Sequence, residues 1–322
     1  MKRAAMVADV RDWAFDVNLR DFSAYVTGWE CEHFYVGEWQ KGDGWRQLWA
    51  ERWNRLGDEY DAIFTPYHRW GIPAGALPKA KHLGSLRSQW FDPQNQVPPT
   101  QADIDLVNRH AGFHVVNHEV YKALAPHCPG VVYLTNPVNM RRFSEPTRVR
   151  DTVIFEWNGN ANHAHRDVKG LHGIITPAAT KVGARVEIAE YNTVRIPHEE
   201  MPAFYRRANV ALCASEYEGS SNSVQEAMAV GLALITTDCG NAREMQDSQV
   251  KHFGESGIVI VPRSSQYFAM AMREMIDKGP AHALRLGELN RAEIDARWSW
   301  HAWASRYQDF LGMTTRAGDV PA

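Results

Sequence analysis

Short apolar runs alternate with longer segments of helical periodicity along the whole chain, and this alternation limits the fold more than any other feature of the sequence. The apolar runs of strand length lie near residues 3–10, 33–37, 61–66, 80–86, 112–117, 130–134, 152–158, 184–190, 209–215, 233–238 and 257–262. Strands that alternate with helices are typical of parallel sheets whose faces are covered by helices. The sequence therefore predicts an α/β fold built from two doubly wound units in succession.

A polar segment at residues 143–151 separates the two series of strands. It reads FSEPTRVRD, has no apolar periodicity and contains Pro146. Such composition is typical of a linker, so we expect one domain over residues 1–145 and a second over residues 151–296. The tail at residues 298–312 has amphipathic spacing and predicts a final helix. Ligands of doubly wound sheets bind beyond the carboxyl ends of the strands, so the expected binding site is a cleft between the domains.

Composition and charge exclude several classes of protein. The chain has 322 residues, of which 44% are hydrophobic and 23% charged, and this balance is typical of a globular protein. No apolar run approaches the roughly 20 residues that span a membrane, and the four cysteines lie far apart. Residues 1–150 hold 18 basic and 17 acidic side chains, and residues 151–322 hold 17 and 21; neither half has the charge of a dedicated nucleic-acid binder. We expect a cytoplasmic protein, or one that is peripheral at a membrane.

The densest chemical signal lies in residues 209–240. An apolar strand is followed by a polar turn that contains Glu218, and then by a helix that holds Glu226. A helix that begins at such a turn presents backbone N–H groups and the positive end of its dipole, which suits a phosphate. Carboxylates accept hydrogen bonds from hydroxyl groups. The segment therefore predicts a site for a phosphate that is attached to a sugar or a ribose.

The spacing Glu218-x7-Glu226 resembles the signature of the retaining family-4 glycosyltransferases, which have the GT-B fold. Three further stretches resemble the same family in order and distance: residues 133–143, 163–175 and 196–210. The resemblance implies two Rossmann-like doubly wound domains that face each other across a cleft. It also implies a C-terminal helix that crosses back, so that residues 297–322 complete the N-terminal, acceptor-binding domain.

The resemblance assigns roles to residues of the second domain, which would bind the nucleotide sugar. Glu218 would face the hydroxyls of the donor sugar, and Glu226 would accept hydrogen bonds from the ribose. Lys169 would neutralise the departing diphosphate, which is electrostatic catalysis by a preplaced cation. The other expected donor-binding residues lie in two strand-end turns: Gly159, Asn160, Ser220, Ser221, Asn222 and Ser223. Arg166 is a third expected catalytic residue, because the family often has an arginine where Asn160 stands.

The first domain departs from the family pattern where the acceptor would bind. After the first strand the family often has a glycine-rich loop, whereas this chain has an acidic, aromatic loop with Asp12 and Trp13. Trp13 either stacks on an acceptor ring or is buried after the turn. Arg87 stands where the family often has a histidine. We therefore expect these three residues on the acceptor side.

Two patterns resemble metal sites, and we expect neither to bind a metal. His110, His114 and His118 would share one face only of a continuous helix, and a predicted strand interrupts them. Asp103 and Asp105 form a DxD sequence at a predicted helix start, where acidic residues favour the helix dipole. Enzymes with the GT-B fold, which this chain resembles, lack a metal ion at the donor site. The resemblance therefore implies no metal and no cofactor.

These features predict a retaining glycosyltransferase that moves a hexose or a pentose from a nucleotide sugar to an acceptor hydroxyl. A UDP-sugar is the preferred donor, ahead of GDP- and ADP-sugars. The acceptor is left open among a glycan, a lipid-linked glycan, a small molecule and a modified DNA base. The alternative from another class is a non-catalytic protein of the same fold that only binds nucleotide sugars. The altered arginine and histidine positions favour it, whereas the presence of Glu218, Glu226 and Lys169 opposes it.

Overall fold

The chain divides into two compact units. The computed structural model describes residues 1–12, 14–39, 45–65, 81–86, 98–148, 150–161 and 166–316. The first unit contains residues 1–136 and the C-terminal segment from Trp303 onward, and the second contains residues 137–302. Each unit is built on one parallel sheet.

The boundary between the units lies before the polar segment that the sequence marks as a linker. Phe143 is buried in the core of the second unit, and its carbonyl accepts a hydrogen bond from Arg291 at 2.9 Å. The backbone N–H of Thr147 donates to the carbonyl of Val230 at 2.7 Å. The start of the expected linker therefore packs as part of the second unit.

The first unit has a six-stranded parallel sheet in its described residues. The strands are β1 (Lys2–Ala8), β2 (Trp29–Tyr35), β3 (Ala62–Thr65), β4 (His82–Leu86), β5 (Gly112–Val115) and β6 (Val131–Tyr133). Their order across the sheet is β2-β1-β3-β4-β5-β6. Residues 4–8 of β1 are all buried, as expected of an inner strand that is covered on both faces. The helices that follow these strands are α1 (Ala14–Tyr25), α2 (Val36–Trp39), α3 (Trp45–Glu59), α4 (Gln101–Val107) and α5 (His118–Leu124).

The second unit has a five-stranded parallel sheet in its described residues. The strands are β7 (Phe155–Gly159), β8 (Val186–Glu190), β9 (Val210–Cys213), β10 (Ala233–Thr236) and β11 (Ile258–Ile260). Their order is β11-β10-β9-β7-β8. Along β9, Val210 and Leu212 belong to one apolar cluster, and Ala211 and Cys213 belong to another. Because successive strand side chains point to opposite faces, the unit has a core on each side of its sheet.

Six helices flank the second sheet within the described part of this unit. They are α6 (Thr176–Val182), α7 (Met201–Tyr205), α8 (Asn222–Val230), α9 (Ala242–Phe253), α10 (Ser265–Lys278) and α11 (Pro280–Glu293). Helix α8 is the most buried, since only its first residues and Glu226 are partly exposed. Its last residue is followed by Gly231 with φ 88°, a left-handed conformation that ends the helix. Helix α8 is therefore fixed at its C-terminal end, and its N-terminal end faces the site described below.

The C-terminal helices are α12 (Trp300–Leu311) and α13 (Met313–Arg316). From Trp303 onward they pack in the first unit. The ring of Tyr307 lies 5.0 Å from that of Phe22, and the ring of Phe310 lies 5.7 Å from that of Phe64. The Tyr307 hydroxyl donates to the carbonyl of Thr135 at 2.7 Å. The core of the first unit is therefore completed by the end of the chain.

A chain that ends at Ala302 is expected to aggregate or to lose cooperative unfolding of the first unit. It lacks Tyr307 and Phe310, and burial of each such aromatic side chain contributes about 2 kcal/mol. Circular dichroism during urea unfolding measures the effect. A chain that ends at Arg316 is the control, because it keeps both α12 and α13 and should unfold as the full chain does. Equal unfolding midpoints for both truncations would show that α12 is dispensable for the first unit.

The predicted secondary structure is confirmed, because each predicted apolar run overlaps one of the eleven strands found in the described residues. The strands are parallel in both sheets, and non-consecutive strands are neighbours, as a doubly wound fold requires. Among the described residues, none of the helices combines the length and the hydropathy that a membrane crossing needs.

Candidate functional site

The carboxyl ends of two neighbouring strands meet at the switch point of the second sheet. Strands β7 and β9 are adjacent although β8 lies between them in the chain. The connections after them therefore leave towards opposite faces of the sheet, and ligands of doubly wound sheets bind in the crevice that this opens. Strand β7 ends at Gly159 and β9 ends at Cys213. Both turns that the sequence expects to bind the donor thus begin at this switch point.

The turn after β9 leads into helix α8, which begins at Asn222. Ser221 is the residue that precedes the helix, yet its side chain does not cap it, and its Oγ lies 3.1 Å from that of Ser223. The Oγ of Ser220 accepts a hydrogen bond from Gln225 at 2.9 Å. The Ser221 side chain therefore leaves the first backbone N–H groups of α8 available to an anionic group.

Lys169 and Glu218 form an ion pair at this point. The Lys169 ammonium donates to Oε1 of Glu218, and the Ser215 hydroxyl donates to the same oxygen at 2.8 Å. The two charged side chains are 24% and 14% exposed. Burial opposes the charged form of Lys169, but the charge of Glu218 and its hydrogen bond raise the pKa of Lys169 above its ordinary value. The Lys169 side chain is therefore positively charged near neutral pH.

Lys169 is placed by a turn that packs tightly against the end of β9. Gly170 has φ 72°, and a Cβ atom there would lie 2.7 Å from both the Cβ and the carbonyl oxygen of Ala214. Only glycine fits so close an approach in this left-handed conformation. Arg263 donates to the carbonyl of Ala214 at 3.0 Å and to that of Asp167 at 2.7 Å. Sequence reasoning missed Arg263, although a cation directly after a predicted strand was a visible signal.

Glu226 lies one turn inside α8 and has a partner on each carboxylate oxygen. His198 Nε2 is 2.7 Å from Oε1, and the Tyr205 hydroxyl donates to Oε2 at 3.0 Å. The Glu226 side chain is 12% exposed and that of His198 is 23% exposed, while Tyr205 is buried. Residues 196–210 contain both partners, and their resemblance to the family predicted only a helix there. Neither His198 nor Tyr205 was expected to have a role at the site.

A second carboxyl group, Glu156 of β7, lies buried beside Glu226. Its Oε2 accepts a hydrogen bond from Asn158 at 3.1 Å. Burial raises the pKa of Glu156 to about 8, and the negative charges of Cys213 and Glu226 raise it further against the hydrogen bond from Asn158. The group is therefore neutral at pH 7. The sequence analysis did not single out Glu156. Its position inside a predicted inner strand was the one feature that could have indicated a buried carboxyl group.

Two cysteine thiols interact where β9 and β10 end. A hydrogen bond from Cys239 lowers the pKa of Cys213 to about 7, and the same bond, together with burial, raises the pKa of Cys239. The Sγ of Cys213 is also 3.5 Å from the Ser215 hydroxyl. Negative charge on Cys213 adds to the charge of Glu218 in favouring the charged form of Lys169.

Two further residues expected at the donor site have described partners of their own. Arg166, expected to replace the family's arginine, pairs with the exposed Glu216 at 3.3 Å and is itself 59% exposed. Asn160 follows β7, and its Oδ1 accepts a hydrogen bond from Asn192 at 3.0 Å. Arg166 thus pairs with a glutamate two positions before Glu218 and not with Glu218 itself.

In the first unit, Asp12 follows the carboxyl end of β1. Its φ of 63° is uncommon for a residue other than glycine. Its backbone N–H donates to Asp16 at 2.8 Å, and its carboxylate pairs with Arg20 at 2.9 Å. The other two residues expected on the acceptor side, Trp13 and Arg87, lie outside the described residues.

The two patterns that resemble metal sites have other structural roles. His114 belongs to β5 and His118 is the first residue of α5, so no continuous helix aligns them. Asp103 accepts a hydrogen bond from the backbone N–H of Thr100 and completes a capping box at the start of α4. In the described part of the chain, no group of three or more His, Cys, Asp or Glu side chains could hold a metal ion.

Part of the second unit matches a known family. Residues 170–278 match the sequence model of the family described as Glycosyl transferases group 1. Glycogen synthase of Mycobacterium tuberculosis strain H37Rv is 29% identical over 110 residues, which are 34% of this chain and 25% of the glycogen synthase. The chain therefore spans about a quarter of the length of this curated relative.

The whole chain is similar to solved structures at low sequence identity. Sucrose-phosphate synthase from Thermosynechococcus elongatus has a TM-score of 0.72 and 15% identity over 98% of this chain and 100% of that chain. Anabaena HepE, in complex with UDP and glucose, has a TM-score of 0.70 and 13% identity over 98% of this chain and 100% of that chain. These similarities confirm the predicted fold class. Residues 170–278 thus match the glycosyl transferases group 1 model, in a chain that has the GT-B fold.

Proposed function

We propose that the chain is a retaining glycosyltransferase that binds a nucleotide sugar on its second unit and transfers the sugar to an acceptor hydroxyl. The observation that carries the proposal is the Lys169–Glu218 ion pair beside the start of α8, at the switch point of the sheet. The match of residues 170–278 to the group 1 glycosyltransferases supports sugar transfer as the reaction. Retention of the anomeric configuration rests on the resemblance of the Glu218-x7-Glu226 spacing.

The diphosphate is assigned to the start of α8 and to Lys169. Negative charge develops on the diphosphate as the glycosidic bond breaks, and a fixed cation stabilises that charge more in the transition state than in the ground state. The residues assigned to hold the diphosphate with Lys169 are Ser220, Ser221, Asn222 and Ser223. Because Lys169 supplies the positive charge, we propose that transfer needs no metal ion.

The two glutamates are assigned to different parts of the donor. Both protein donors to Glu218 bind its Oε1, so we assign Oε2 to the hydroxyls of the transferred sugar. Glu226 lies on α8, and we assign it to the ribose. UDP is the proposed nucleotide, because the similar HepE structure contains UDP and glucose. The acceptor is assigned to the first unit, where Asp12 follows β1 at the switch point of that sheet.

UDP is expected to stabilise the protein without added metal, and the two glutamates should differ in how they affect its binding. A ligand at 100 times its dissociation constant raises the free energy of unfolding by about 2.7 kcal/mol, which thermal unfolding detects. Glu226→Gln should weaken UDP about tenfold, because it removes a charged acceptor from the ribose. Glu218→Gln should leave UDP binding almost unchanged and lower the release of UDP from UDP-sugars by about 100-fold. Isothermal titration and steady-state rates measure the two effects.

The exposed Glu274 of α10 provides a matched control, because Glu274→Gln should change neither quantity. If UDP, GDP and ADP all fail to shift the unfolding temperature at millimolar concentration, with or without magnesium, the donor assignment is wrong. If UDP binds but no UDP-sugar is turned over, the protein is a nucleotide-sugar-binding protein rather than an enzyme.

A further inference from the structure

Both oxygens of the Glu226 carboxylate are held by protein donors from a different element. His198 begins a short helical turn and Tyr205 ends α7, and their donors reach Oε1 and Oε2 at 2.7 and 3.0 Å. Rotation of a terminal carboxylate is otherwise soft, since its torsion has broad wells. One donor on each oxygen therefore fixes the plane of the carboxylate.

Both partners pack against the ring of Phe143. The Tyr205 ring packs 6.2 Å from the Phe143 ring and 5.8 Å from the Phe204 ring, and no part of it is exposed. Burial and the charge of Glu226 raise the pKa of Tyr205 well above its ordinary value, so its hydroxyl stays a donor. The His198 ring stands edge-on to Phe143 at 6.1 Å. An ionised carboxylate only accepts hydrogen bonds, so His198 Nε2 carries the proton.

The two protein donors leave positions on the Glu226 carboxylate that can accept further hydrogen bonds. An ionised carboxylate has about four lone-pair sites, and the two protein donors use one on each oxygen. One site on each oxygen then remains, and both lie in the plane that the donors fix. Two acceptors a carboxylate width apart suit the two neighbouring hydroxyls of a ribose, and a 2′-deoxyribose would satisfy only one of them.

We propose that His198 and Tyr205 are positioning residues that hold Glu226 so that it accepts both ribose hydroxyls, and that they thereby set the preference for a ribonucleotide over a 2′-deoxyribonucleotide donor. The inference rests on the proposed function, which assigns Glu226 to the ribose. It goes beyond that function because it names the residues that make the contact selective. Neither residue touches the ligand in this scheme, and each acts only through Glu226.

The test compares binding of UDP and 2′-deoxy-UDP by isothermal titration. The unaltered protein should bind UDP at least about tenfold more tightly, because a hydrogen bond to a charged group is lost in the deoxynucleotide. Tyr205→Phe and His198→Leu each remove one donor and should reduce this preference to about threefold or less. His198→Gln keeps an N–H donor near the position of Nε2 and should restore most of it. Tyr267→Phe, at an exposed tyrosine of α10, should leave the preference unchanged.

The Glu226→Gln variant distinguishes the assignment of Glu226 to the ribose from the positioning role of His198 and Tyr205. If Glu226→Gln loses the preference while folded Tyr205→Phe and His198→Leu keep it in full, the positioning role is overturned and the ribose assignment stands. If Glu226→Gln binds both nucleotides as the unaltered protein does, the ribose assignment fails and the positioning role fails with it. Tyr205→Phe should reduce the preference for UDP in the otherwise unaltered protein, but it should cause no further change in a protein that already carries Glu226→Gln. This result would confirm that the Tyr205 hydroxyl acts through Glu226.

Discussion

Replacement of Lys169 by methionine is expected to lower turnover of the UDP-sugar by about 100- to 1000-fold. Methionine keeps an unbranched apolar stem of similar length, but it lacks the charge that would stabilise the leaving diphosphate. The change also leaves the Glu218 carboxylate with the Ser215 hydroxyl as its remaining partner in a site that is 14% exposed. The free energy of unfolding should therefore fall by about 2 kcal/mol. Release of UDP at saturating donor and urea unfolding measure the two effects.

The double variant Lys169→Met with Glu218→Gln separates catalysis from stability. It removes both charges, so the penalty for an unpaired buried carboxylate disappears and the free energy of unfolding should return towards that of the unaltered protein. Turnover should remain low, because the cation is still absent. If Lys169→Met kept turnover within about threefold, Lys169 would be only a structural partner of Glu218. If both variants lost turnover equally and kept the full free energy of unfolding, the Lys169–Glu218 ion pair would not contribute to stability.

The Glu156→Gln variant is expected to become progressively more stable than the unaltered protein as the pH rises from about 5 to about 8. The folded protein holds a proton on Glu156, whose pKa is raised to about 8, while the unfolded chain releases it near 4.5. The folded state therefore binds more protons than the unfolded state, and stability falls with rising pH by about 1.4 kcal/mol per pH unit. Glutamine cannot ionise, so the Glu156→Gln variant does not lose stability in this way. In the unaltered protein, the stabilisation from the neutral Glu156 carboxyl is complete below pH 4.5.

Urea unfolding at pH 5.5, 6.5 and 7.5 gives the difference in free energy between the two proteins. The difference cancels groups that titrate in both, including His82, whose pKa is lowered by burial and by His110. Glu274→Gln, at an exposed position of α10, is the control variant. A pH-independent difference for Glu156→Gln would mean that the buried carboxyl is already ionised in the folded protein.

The order and type of the strands could be predicted from the sequence because they depend on local periodicity. Inner strands such as β1 are continuous apolar runs, since both of their faces are covered. The prediction was least accurate for β2, which begins at Trp29 rather than near residue 33. That strand lies at the edge of the sheet, and Glu30 and Glu32 are exposed. An edge strand with an exposed face does not form the apolar run that marks an inner strand.

The glutamates of the candidate site could be named from the sequence because their spacing within one turn and one helix is local. The same spacing carried no information about their partners. Lys169 lies 49 positions from Glu218, and His198 lies 28 positions from Glu226. Arg166 was expected to act at the donor as a substitute for the family's arginine, and in the structure it pairs with Glu216.

The sequence by itself therefore determined the two doubly wound sheets and the positions of their strand-end turns. It also placed Glu218 in one of these turns, Glu226 in the helix that follows it, and Lys169 in the same unit. Tertiary structure alone decided that Lys169 pairs with Glu218, and that Glu226 is held by His198 of a short helical turn and by Tyr205 of α7. It also decided that the buried Glu156 is neutral. The physical reason is that periodicity and helix starts are properties of neighbouring residues, whereas ion pairing and burial depend on which strands lie side by side in the sheet. Strand β7 reaches β9 only across a crossover connection, and the candidate site exists only where those two strands end together.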